Sequence, residues 1–139
     1  MSDLVPRGVP VQFGMEERHF LFDYAVIAEI QDSYDLDVLS VLRQLFMDKR
    51  SPGEYKARVL IDLVHKLLLD ETEREKFFHD RDLKTYTKRQ VGWMIDQLNA
   101  DTIVEAILTA WTASIPKPEE EESPNAERGT KRRTRKKES

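Results

Sequence analysis

Three histidines and a scatter of acids are the residues that could do chemistry, and their spacing decides what they can do. His79, Asp80 and Asp82 offer one nitrogen and two carboxylates within four residues. A metal needs further ligands, and no fourth partner accompanies them, so no metal site is expected. His65 falls inside an apolar run, where one histidine without a ligand beside it reads as a packed side chain. His19 lies in an alternating, strand-like segment. Asp35 and Asp37 are better explained as helix caps than as an acid pair. There is no cysteine, which excludes thiol nucleophiles, cysteine zinc sites and disulfides. No glycine-rich phosphate loop, dinucleotide fingerprint or Gly-x-Ser-x-Gly elbow occurs. The expectation is a non-enzyme with no cofactor.

Charge points in two directions. The 139 residues carry a formal net charge of −4. Residues 117–139 hold eight Lys/Arg and six Glu, which leaves a net of −6 on residues 1–116. Within the tail, Glu119 to Glu122 form an acidic block. Lys131, Arg132, Arg133, Arg135, Lys136 and Lys137 form a basic run. Ala126 is the tail's one apolar residue, so burial cannot repay its ordering entropy, and 117–139 reads as a disordered acidic-then-basic tail. The basic run would attract phosphate without sequence preference. A small nucleic-acid-associated protein working through this tail is therefore the alternative reading. Thr87 to Ile107 could form a helix-turn-helix, but Lys88 and Arg89 face Asp96, Asp101 and Glu105 there. A recognition element should not be acidic, so nucleic acid is disfavoured as a partner. No apolar run approaches the ~20 residues of a membrane span, so no membrane association is expected. Residues 1–8 read as a flexible N-terminus without the pattern of a signal peptide. Leu4 to Gly8 reads either as a thrombin-cleavage tag or as native sequence.

The elements that must carry these residues follow from periodicity. Val9, Val11 and Phe13 alternate with polar positions, and Arg18 to Phe22 alternates again, with Phe20 and Phe22 on one face. Gly14 to Glu17 would join them as a β-hairpin, which must pack on something to be stable. Asp23 opens a helix bearing Val26, Ile27, Ile30 and Tyr34. Asp35 or Asp37 caps a second, with Val38, Leu39, Leu42, Leu45 and Phe46 inward, ending at Lys49 and Arg50. Ser51-Pro52-Gly53-Glu54 is a helix start signal for a central apolar helix from Val59 to Leu69. Thr72-Glu73-Arg74-Glu75 reads as another start, leading to Phe77 and Phe78, and His79 to Asp82 as a loop. Thr87 to Gln90 caps a helix carrying Val91, Met94, Ile95 and Leu98. Asn99 or Asp101 starts the last, with Ile103, Val104, Ile107, Leu108 and Trp111 inward. The fold class is α+β, mostly α: an N-terminal hairpin and about five short helices over residues 9–116. Trp93 falls off its helix's inward stripe, as an interface anchor would. Trp93, Met94 and Trp111 are the candidate partner-binding residues.

The order of these segments resembles the tail assembly chaperones of tailed bacteriophages. Val-Pro-Val-Gln-Phe-Gly and His-Phe-Leu-Phe-Asp-Tyr, running into Ala25 to Ile30, are similar to that family's opening hairpin and first helix. Thr87 to Ile95 resembles its Thr-x-x-x-Val-Gly helix, and Ile103 to Pro116 its closing helix and Ser-x-Pro exit. The segment from Leu67 to Lys76 departs from the family's shorter Gly-Leu and Asp-rich stretch. The resemblance implies a non-catalytic protein in the cytoplasm of the bacterial host, absent from the mature virion. It would bind the tape measure protein, the very long helical chain that sets tail length, and keep it soluble. Such chaperones are commonly made in two lengths through a −1 frameshift. Lys136-Lys137 could lie on a slippery run, and the longer form would contact the tail tube protein. Self-association is left open.

Overall fold

The computed structural model describes residues 7–46 and 54–115. Its element order is β1 (Val9–Phe13), β2 (Glu16–Phe20), α1 (Tyr24–Tyr34), α2 (Val38–Gln44), α3 (Ala57–His79), α4 (Lys88–Met94) and α5 (Ala100–Ala113). The architecture is thus α+β and mostly helical. The antiparallel hairpin comes first, with Val9 opposite Phe20 and Phe13 opposite Glu16. The second strand starts and ends two residues earlier than the alternation suggested. The turn is therefore only Gly14-Met15, and Gly14 supplies the positive φ of 65° that a two-residue turn requires. Phe22 lies past the strand but is still buried.

The hairpin packs on α3 through β2 and on α5 through β1, so the first and last elements share one core. Val11, Phe13 and Phe20 meet Val26 and Ile30 of α1, Leu63 and Leu67 of α3, and Ile103 and Ile107 of α5 in that core. Asp23 caps α1, its Oδ1 accepting from Val26 N at 2.9 Å. Asp37, not Asp35, caps α2, while Asp35 ends α1 in the left-handed region at φ 55°. On α2, Val41 takes the inward position. Leu39 and Phe46 are exposed, contrary to the expected stripe, because the seven-residue helix turns Val38, Val41 and Leu42 inward. That helix ends at Gln44; Lys49 and Arg50 lie outside the described residues, as do Ser51 to Gly53.

The expected break at Thr72 does not occur. From Ala57 to His79 there is neither Gly nor Pro, and α3 runs unbroken through the supposed capping box. The helix starts three residues after Glu54, at Ala57, behind Lys56. Thr72 turns its hydroxyl back to Leu68 O at 3.0 Å instead of capping. Conversely, α4 is shorter than its apolar pattern. Thr87 and Gln90 form the expected reciprocal capping box, but Asp96 Oδ1 accepts the amides of Leu98 and Asn99 at 2.9 and 3.0 Å and turns the chain. Leu98 is left exposed. Asn99, not Asp101, precedes α5. Leu108 and Trp111 are half-buried at the core's edge. Among the described residues no helix is long and apolar enough to cross a membrane. The expected tail from residue 117 lies outside the described residues.

Candidate partner-binding surface

The structure brings Trp93 and Met94 together with a residue the sequence reading passed over, Met15. Trp93 is 72% exposed on α4, and Met15, at the hairpin tip, is 98% exposed. Met94 is half-buried between them, its Cε so close to Gly14 that a Cβ there would sit 2.5 Å away. The hollow between hairpin tip and helix has a volume of about 380 Å³ and is also bordered by Lys84, Tyr86 and Gln90. Trp111 is not part of this face. Its ring meets Phe22 edge-on, centroids 5.4 Å apart, and closes the core between α5 and the segment leading into α1. The six basic residues of the tail, Lys131 to Lys137, lie outside the described residues.

Two polar clusters hold the face in position. Arg18 is fully buried in β2, and its guanidinium is satisfied on every nitrogen. Nε donates to Glu71 Oε1 at 2.6 Å, Nη1 to Glu16 Oε1 and Lys84 O, and Nη2 to Leu68 O and Thr72 Oγ1. This one side chain ties the hairpin to α3 and to the loop before α4, which carries Lys84 and Tyr86. Tyr86 in turn donates to Glu16 and stacks edge-on against Phe13 at 5.7 Å. Burial, then the hydrogen bond to Glu16, raises the Tyr86 phenol above its usual range. The second cluster fixes the start of α4. Asp62 on α3 accepts from Tyr34, Lys66 and Lys88, the last at 3.0 Å. Burial of Asp62 opposes its charge, but these three donors outweigh it and hold its carboxyl below the usual range. Gly92 lets α4 approach α3 closely: a Cβ there would stand 3.2 Å from Ile61 Cδ1. The Val-Gly pair of α4 therefore faces inward, and Trp93 next to it must face out.

His19 and His65 are engaged in structure, while His79 Nε2 is buried without a hydrogen-bond partner among the described residues. His19 Nδ1 lies 2.9 Å from Glu71 Oε2. His65 is half-buried, and burial lowers its pKa. The acids beside His79 turn to Lys76, which pairs with Asp80 at 3.0 Å and Asp82 at 3.3 Å. Among the described residues no group of three or more His, Asp or Glu is arranged to hold a metal ion. Comparison of the chain with protein-family models, curated proteins and solved structures found no match.

Proposed function

We propose that this chain is a tail assembly chaperone of a tailed bacteriophage. It binds the tape measure protein non-catalytically and keeps it soluble until tail tube subunits polymerise around it. The observation that carries the reading is the face formed by Trp93, Met15 and Met94: an exposed tryptophan with two methionines, in a region (residues 1–116) whose net charge is −6. A long amphipathic helix aggregates through its apolar stripe unless that stripe is covered. Trp supplies a large anchor, and unbranched Met side chains adapt to varied stripes. Many copies along one rod would add avidity without a tight single contact. The residues that resemble the family's helix, Thr87 to Ile95, are those that carry Trp93.

Co-expression with the tape measure protein of the same genome tests this. The chaperone should carry that protein into the soluble fraction and co-purify with it. Trp93→Ala should leave stability within about 0.5 kcal/mol of wild type while weakening capture by about 2 kcal/mol, some thirtyfold. A tape measure protein equally soluble with and without the chain would refute the chaperone reading. An unfolded Trp93→Ala variant would mean that the residue is core.

A further inference from the structure

The rim of the Trp93 face differs in charge from the rest of the domain. Residues 1–116 are acidic overall, with a net of −6. At this face cations prevail. Lys84 borders the hollow, and Arg89 stands one helical turn before Trp93 on α4, on the same side. Neither makes an ion pair with a described residue, whereas Lys66, Lys76, Arg81 and Lys88 each do. The Lys84 ammonium lies only over the Tyr86 ring, 5.7 Å from its centre. The one carboxylate bordering the hollow, Glu16, is held by Arg18 and Tyr86. Another exposed aromatic patch, Phe77 with Phe78 on α3, lacks this pattern. Its neighbouring cations Lys76 and Arg81 are neutralised by Asp80, Asp82 and Glu75. Unmet positive charge thus coincides with unmet apolar area at this face.

We propose that this face takes an amphipathic helix whose apolar stripe is flanked by Asp or Glu. The stripe packs on Trp93, Met15 and Met94, and the flanking acids pair with Lys84 and Arg89. This rests on the reading of the chain as a binding chaperone and specifies which segments of the tape measure protein it selects. The methionines tolerate variation in the stripe, while the rim charges reject partners flanked by Lys or Arg. Rim pairs act mainly on encounter, so the preference weakens with salt.

The test uses the full chain with Trp111→Phe, which leaves Trp93 as the single tryptophan. Three synthetic helical peptides with one Leu/Ile stripe, flanked by Glu, Gln or Lys, are titrated against its fluorescence. The Glu peptide should bind at least tenfold more tightly than the Lys peptide at low salt, with the gap closing in high salt. Lys84→Glu with Arg89→Glu should invert the order, and Trp93→Ala, read by calorimetry, should abolish binding. Equal affinities, an order unchanged by the charge reversal, or no binding by any peptide would overturn the proposal. So would sedimentation showing this face closed by a second copy. Co-expression with the tape measure protein separates the two readings. Acidic preference without capture keeps the surface and removes the chaperone; capture indifferent to Trp93 and the charge reversal does the opposite.

Discussion

Asp70→Asn should make the domain more stable above neutral pH and should remove part of its pH dependence. Asp70 lies buried on α3, its Oδ2 3.1 Å from Arg74 Nε. The same Nε lies 3.2 Å from Oδ2 of Asp23, the residue that caps α1. Two carboxyls therefore share one guanidinium. Burial, then the hydrogen bond and charge of Asp23, push the Asp70 carboxyl up to about 7, against the pull of Arg74. In the unfolded chain it ionises near 3.8. The folded state thus binds the proton more tightly. The site's contribution is fully present below about pH 4 and is lost as pH rises towards 7, where the unfolded chain ionises and the folded one does not. An ionisation moved that far is worth about 4 kcal/mol at ~1.4 kcal/mol per pH unit. Water reaches the rim, where the Asp23 side chain is a quarter exposed, so about half of that, roughly 2 kcal/mol, is expected. Asparagine keeps the shape and the donor to Asp23 without the charge. At pH 8 the variant should melt about 8 °C above wild type, with the difference vanishing near pH 4. Melts by circular dichroism from pH 4 to 8 measure this. His65, whose lowered pKa has the opposite effect between its folded value and 6.5, is present in both proteins and cancels in the difference. Parallel melting curves across that range, or a variant less stable at pH 8, would refute the reasoning.

Arg18→Met should cost about 3–5 kcal/mol in urea unfolding, because it leaves the buried Glu71 carboxylate with His19 in place of a guanidinium. Adding Glu71→Leu should recover much of that loss, and a double variant as unstable as the single would show that the pair is not the source. Thr87→Ala removes the reciprocal cap of α4 and should cost about 1 kcal/mol by the same assay. The full chain should retard DNA in a gel only at low salt. Glutamine at Lys131, Arg132, Arg133, Arg135, Lys136 and Lys137 should abolish the shift, since residues 1–116 are acidic; retardation that survives the change would assign DNA binding to the folded part.

The hairpin, the order of helices, the caps at Asp23 and Thr87 and the outward Trp93 were all legible, because each rests on local pattern. The reading of α3 failed on non-local contacts. Arg18 shares the inward parity of Phe20 and Phe22, which was itself a signal that a cation enters the core. Its partners, Glu71 and Thr72, stand more than fifty residues away. That same pairing explains why a helix could run through a capping-box pattern: the acids on its inner side, Glu71 and Glu75, are met by Arg18 and Arg81. Met15 escaped notice because its place at the tip depends on whether the turn has two residues or four. Leu98 read as part of a helical stripe, but Asp96 ends α4 before the stripe is complete.

The anchoring of the hairpin by Arg18 also sets a schedule for synthesis. The guanidinium's furthest partner, Lys84 O, is 66 residues downstream, and α5, which covers β1, ends at Ala113. At about 5–20 residues per second, the ribosome needs roughly 3–13 s to make the chain between Arg18 and Lys84. Until α3 has been made Val11, Phe13 and Phe20 have at most α1 and α2 beside them, α5 comes later still, and an isolated hairpin is marginal in water. The N-terminus of this domain is therefore made first and finished last. The nascent protein passes through the same exposed apolar condition that it is proposed to relieve in its partner.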